Sequence, residues 1–174
     1  MSDQTPETLF AGKWLTVRRQ GIWEYVSRTG GNNAVVIVAI DDDDHVLLID
    51  QYRVPLGKRC IELPAGLIGD EHAGDTAMDA ARRELEEETG YACEAVEELG
   101  FFHASPGMVT EGFTLVRARG LCKIGEGGGI ADEDIIVHRV PLAGVPDFIA
   151  AKRNEGCAVD VKILLLLAES LLKP

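Results

Sequence analysis

The sequence predicts a mixed α/β (α+β) protein whose 174 residues form one domain. Three observations lead there. Ala34–Ile40 reads AVVIVAI, a continuous β-branched run of the kind that fills a buried strand. Asp75–Thr89 has helical length, alanines on one side and a glycine at its end, with strand-like segments before and after. The chain closes on two apolar stretches with helical spacing, Val145–Asn154 and Asp160–Leu172.

Taken in order, residues 1–10 read as a loose polar arm. Trp14–Val17 and Trp23–Arg28 alternate as strands do. The turn cluster TGGNN precedes Ala34–Ile40. Asp41–Asp44 reads as a charged turn joining that strand to a hairpin partner, His45–Asp50. It lacks the spaced ligands and glycine of a calcium loop. Ile61–Leu63 is a short strand broken by Pro64-Ala65-Gly66. The helix Asp75–Thr89 has Asp75 or Thr76 as its cap and Gly90 as its stop. Strands follow near Cys93–Phe102, Phe113–Arg119 and Ile135–Pro141, with GEGGGI at Gly125–Ile130 read as flexible.

A net charge of −12 argues against non-specific binding to nucleic acid or anionic membranes. The beginning MSDQTPETLF shows no basic region followed by an apolar one, and no apolar run is long enough to span a bilayer, so a cytoplasmic protein is expected. Cys60, Cys93, Cys122 and Cys157 form no CxxC pair, which favours reduced thiols over a zinc site or a disulfide framework.

The chemistry concentrates in RRELEEETGY, Arg82–Tyr91. On a helical wheel at ~100° per residue with Ala77 at zero, Ala81, Ala80 and Leu85 mark the packed side. Glu88 falls at about 20°, Glu84 at about 340° and Glu87 at about 280°, whereas Glu86 points away near 180°. Like charges four apart cost ~0.2–0.5 kcal/mol, and anions at a helix C-terminus cost ~0.3–1 kcal/mol. Arg83 can offset one carboxylate. Divalent cations with all-oxygen ligands, Mg²⁺ or Mn²⁺, would offset the rest. A solvated acidic face is the alternative.

RRELEEETGY resembles the second half of the Nudix box, G-x5-E-x7-R-E-U-x-E-E-x-G-U, where U is a bulky apolar residue. The resemblance implies a Nudix αβα sandwich with a mixed central sheet and a loop–helix–loop metal site. Glu84, Glu87 and Glu88 would be ligands and Arg83 would orient them. The first half departs from the pattern, because Asp75 stands where the box has Glu. Gly69 fits the spacing. Gly66, in ELPAGLI (Glu62–Ile68), matches the ADP-sugar branch of the family and makes the loop Gly66–Asp75 three residues longer than usual. The second register covers more residues and adds the Ala65 carbonyl as a ligand.

Further stretches resemble ADP-ribose and ADP-sugar pyrophosphatases. Pro106 lies 15 residues beyond Tyr91, although Ser105-Pro106-Gly107 could be a plain turn. Gln51-Tyr52-Arg53 is similar to a motif whose arginine contacts phosphates. Trp23–Arg28 (WEYVSR) is similar to a strand of adenine-binding members. There two tryptophans, one from each subunit, enclose the base. Trp14 and Trp23 are the only tryptophans here, with a core role as the alternative. Gly129–His138 resembles the loop carrying the catalytic base, which makes Glu133 the first choice and Glu111 its rival. The resemblance therefore implies hydrolysis of a nucleoside diphosphate sugar, ADP-ribose first, with Arg53 and Arg28 against the diphosphate. It also implies a homodimer whose N-terminal strands, residues 1–30, cross to the partner. GDP-mannose or another nucleotide sugar is one alternative substrate. A non-catalytic, ligand-sensing Nudix-like module is another reading.

Overall fold

The computed structural model describes residues 5–31, 33–69, 74–130 and 133–167. Within them eleven strands form three sheets. The first sheet is an antiparallel meander of β1 (Glu7–Ala11), β2 (Leu15–Gln20) and β3 (Trp23–Arg28). The expected polar arm is thus partly a strand: Glu7–Ala11 pairs along β2, with a register shift between Thr8 and Phe10. Its side chains are all exposed, so no burial pattern announced it.

Two four-stranded sheets form the body. One has the order β7 (Ala65–Leu67), β4 (Ala34–Ala39), β9 (Gly112–Lys123), β8 (Tyr91–His103). The other runs β10 (Ile136–Pro141), β5 (His45–Arg53), β6 (Lys58–Glu62), β11 (Ala158–Val159). The expected hairpin of β4 and β5 does not form. Apart from a single Ile40–Val46 bridge, the four-aspartate turn carries the chain from one sheet to the other. Both strands are buried on both faces, so each takes two neighbours of its own: β4 pairs parallel with β9, and β5 lies between β6 and β10. Pro64 marks a second crossing. Its carbonyl accepts the Ile37 N–H, and Ala65–Leu67 continues as a short strand on β4.

Strand alternation divides the core in two. Val35, Ile37 and Ala39 pack with Ala80, Ala81 and Leu85 of the helical segment. Val36 and Val38 face the other way, toward Leu48, Ile61, Val140 and the closing segments at Val145, Ile163 and Leu166. Helical layers therefore flank the β structure on both sides, as the fold class requires. The second helix, α2 (Val145–Asn154), has the expected bounds, with Pro146 in its first turn. The expected helix Asp160–Leu172 is instead a 3₁₀ segment over Val161–Leu167, and its remainder lies outside the described residues. Among the described residues, no helix is long and apolar enough to cross a membrane.

Candidate active site

The glutamate-bearing helix is capped by Thr76. Thr76 Oγ1 accepts the Asp79 N–H at 3.2 Å, and Asp79 Oδ2 accepts the Thr76 N–H at 3.1 Å. Regular α-helix, α1, spans Ala77–Glu84 and then widens into a π turn over Leu85–Thr89. The straight wheel therefore overshoots beyond Glu84, because π turns close i→i+5 rather than i→i+4 bonds. Glu86 is exposed, Glu87 is half-buried, and Glu88 is 3% exposed.

The unfavourable end of this helix is closed by the glycine segment. The amides of Ile124 and Gly125 donate to the Gly90 carbonyl, Gly128 N–H donates to Glu88 O, and Gly129 N–H donates to Glu87 O, at 2.8–3.0 Å. Gly125–Ile130, expected to be flexible, is packed as a strap whose donors satisfy the terminal carbonyls.

The carboxylates have distinct partners. Ala65 N–H donates to Glu88 Oε2 at 2.9 Å. Arg83 Nη1 donates to Glu84 Oε1 at 2.9 Å and lies 3.7 Å from Glu87 Oε2. Burial pushes the Glu88 carboxyl up to about 8; the Ala65 amide and Arg53 oppose this, while Glu84 and Glu133 add to it. A methyl group on Gly66 would overlap the Glu84 carboxyl, so only glycine leaves Glu84 its place.

Glu84, Glu88, Ala65 and Gly66 line a cavity of about 380 Å³ together with Arg28, Arg53, Glu111 and Glu133. Glu87 is not among its lining residues. Arg53 makes a two-pronged pair with Glu62 (Nε–Oε1 2.7 Å, Nη2–Oε2 2.8 Å). Arg28 is bonded to Glu111. Glu133 Oε2 accepts the Ile130 N–H at 3.0 Å. Glu62, Gln51 and Lys162 also line this cavity. Glu62 and Gln51 sit inside motifs already quoted, and their types gave no reason to single them out. Lys162 comes from the closing segment and carried no sequence signal.

Among the described residues, no three acidic, histidine or cysteine side chains are gathered closely enough to hold a metal ion. The donor set still suits a hard divalent cation. It consists of carboxylates, one of them buried beside two others, and a glycine that leaves room for Glu84. In the present arrangement Arg83 and the Ala65 amide engage these groups.

A second cavity, about 410 Å³, opens where the Ser105–Thr110 loop docks on β3. Val26 N–H donates to Met108 O, and Thr110 N–H donates to Val26 O. It is lined by Trp23, Tyr25, Gln20, Pro106, Gly107, Val109 and Thr110. The structure thus brings Trp23 and Pro106 together. Trp14 does not line this cavity; it is 68% exposed, with Lys13 Nζ 4.3 Å from its ring centre.

Comparison with known proteins gives a consistent picture. The NUDIX domain family model matches residues 31–134. The methanol dehydrogenase activator of Bacillus methanolicus is 42% identical over 97 residues, 56% of this chain and 50% of that protein. GDP-mannose pyrophosphatase of Cronobacter sakazakii is 35% identical over 146 residues, 79% of this chain and 72% of that protein. The chain spans only about half the length of the first curated relatives it matches. A crystal structure of an ADP compounds hydrolase superposes with a TM-score of 0.70 at 27% identity, covering 98% of this chain and 96% of that one.

Proposed function

The chain belongs to the Nudix family, and from that premise we propose that it hydrolyses the diphosphate bond of a nucleoside diphosphate sugar, ADP-ribose first, giving AMP and ribose 5-phosphate. One observation carries the reading. Two box glutamates, the candidate base Glu133 and two arginines line a single cavity whose size suits a small ligand. The whole-length likeness to an ADP compounds hydrolase supports adenine as the base.

Mg²⁺ or Mn²⁺ would be held by Glu84, Glu87, Glu88 and the Ala65 carbonyl, where it would neutralise phosphoryl oxygens and polarise water. The chain's own residues do the rest. Arg53 and Arg28 present cations to the diphosphate, exchanging part of their bonding to Glu62 and Glu111. Glu133 takes the proton as the water oxygen bonds to phosphorus and the bridging P–O bond breaks. Glu111, already bonded to Arg28, is the weaker candidate. Arg83 positions Glu84 and Glu87. Trp23 and Pro106 offer a flat wall for the base in the neighbouring cavity.

The N-terminal sheet exposes Leu9, Phe10, Trp14, Leu15, Ile22 and Trp23. This supports a homodimer in which residues 1–30 meet the partner and bring Trp14 to the base. Sedimentation should return twice the chain mass.

The deciding experiment is a substrate panel with Mg²⁺ or Mn²⁺, following release of the nucleoside monophosphate, AMP or GMP. Turnover of ADP-ribose is expected. Turnover of GDP-mannose alone would move the assignment to the second reading, which the 35% identical relative favours. No turnover of any nucleotide sugar would leave a ligand-sensing module.

A further inference from the structure

A buried charge on β5 is linked through one arginine to Asp134, the residue that follows the candidate base. Asp50 is 2% exposed and lies at the middle of the β10–β5–β6 sheet, opposite Ile136 on one side and Ile61 on the other. Arg59 of β6 is its diagonal neighbour. Arg59 Nε donates to Asp50 Oδ1 at 2.6 Å, and Nη2 donates to the Asp50 carbonyl at 2.5 Å. Lys152 and His138 stand 3.7 Å from the other carboxylate oxygen, so Asp50 is held from β6, β10 and α2 together.

The far side of the same guanidinium holds Asp134. Nη1 donates to Asp134 Oδ2 and Nη2 to the Asp134 carbonyl, both at 2.9 Å. Asp134 has φ +47, in the left-handed region that glycine favours and aspartate enters only occasionally. The residue before it is Glu133. Its turn is closed by Glu133 N–H to Ile130 O at 3.0 Å and by Ile135 N–H to Gly128 O at 3.2 Å. The side-chain pair with exposed Asp134 is worth little by itself. The carbonyl bond, made by a fork already fixed on a buried carboxylate, sets backbone direction at the residue that follows the base.

We propose that Arg59, seated on Asp50, is a positioning residue for the general base: it holds the Glu133–Asp134 turn so that the Glu133 carboxylate faces the cavity. This rests on the assignment of Glu133 as base. Arg59 does not line the cavity whereas Glu133 does, so its effect on rate should pass through Glu133.

The test compares wild type, Glu133→Gln, Arg59→Met and the double variant with ADP-ribose and Mg²⁺. Amide exchange at Ile130, Glu133 and Ile135 is followed by NMR in the same proteins. A misplacement of ~1 Å at a reacting group can cost about 100-fold, so Arg59→Met should lower kcat by roughly 10- to 100-fold with KM nearly unchanged. In the Glu133→Gln background the same change should cost less than about threefold, because the group it positions is gone. Exchange at the three amides should quicken while β5 and β6 amides stay protected. Equal losses in both backgrounds, or unchanged exchange at the turn, overturn the inference. A Glu133→Gln protein at the wild-type rate overturns the base assignment instead, and is distinguished because Arg59 is intact in it.

Discussion

Replacing Gly127 by alanine should loosen the helix end that carries the box glutamates. Gly127 has φ +68, and a Cβ there would lie 2.6 Å from the Glu88 carbonyl oxygen and 2.7 Å from the Gly90 nitrogen. Those are backbone atoms, so the strap itself must lift by several tenths of an ångström or more. Lifting it breaks or stretches the 2.9 Å bonds from Gly128 N–H to Glu88 O and from Gly129 N–H to Glu87 O. Left-handed strain at a non-glycine residue costs ~1–2 kcal/mol. Each weakened hydrogen bond adds ~0.5–1.5 kcal/mol. Together these give a destabilisation of about 2–5 kcal/mol, or a Tm lowered by roughly 5–20 °C for a chain of this size. Equilibrium urea unfolding followed by circular dichroism measures it. Gly125→Ala is the matched control, since its Cβ would meet nothing nearer than the Gly90 Cα at 4.0 Å. That variant should be neutral or slightly stabilising. Equal stabilities for the two variants would refute the strap as a support of the helix end.

Gly66→Ala puts a methyl where the Glu84 carboxyl sits, and only a side chain has to yield. A loss of kcat of up to about 100-fold with little change in Tm is expected, checked by kinetics beside thermal melts. Leu85→Ala empties a fully buried site under β4 and should cost about 2–5 kcal/mol in urea unfolding. Burial, joined by Lys152, holds the His138 imidazole below its usual value of 6.5, against the opposing pull of Asp50. The unfolded chain therefore binds this proton more readily, so stability from this group is lost as pH falls below about 6.5 and levels off once the folded form also protonates. Glu88, pushed up to about 8, gives the opposite trend over the same range, so the His138 contribution is read as a difference: from about pH 8 to about pH 5 the urea midpoint of wild type should lose ground relative to that of His138→Gln.

Much of the fold is legible because burial leaves a period in the sequence. Val35, Ile37 and Ala39 against Val36 and Val38 make β4 apolar throughout, and the structure buries both faces. The alanine face of α1 and the exposure of Glu86 follow from helical spacing. What escaped detection depends on partners or backbone detail. Exposed β1 has no core face to betray it. A continuous apolar run says that a strand is buried, and leaves open whether it pairs with the next strand or with β9. The π turn is one residue's worth of extra winding, which composition does not encode. The glycines of the strap read as mobile because glycine permits many conformations; here positive φ values at Gly127, Gly128 and Gly129 are what allow the close approach. The arginine behind Asp134 was invisible because Asp50, Arg59 and Asp134 meet only once β5, β6 and the acidic loop are folded together.

The glycine strap also sets a timetable. The donors that finish the box helix lie on residues 124–129, after the whole of β8 and β9. During synthesis the helix can emerge and wind long before those amides exist, and its last turn stays open until they do. In chain order, the carboxylate-bearing end of the helix is therefore completed only by residues made after β4, β8 and β9, and before β10 and β11.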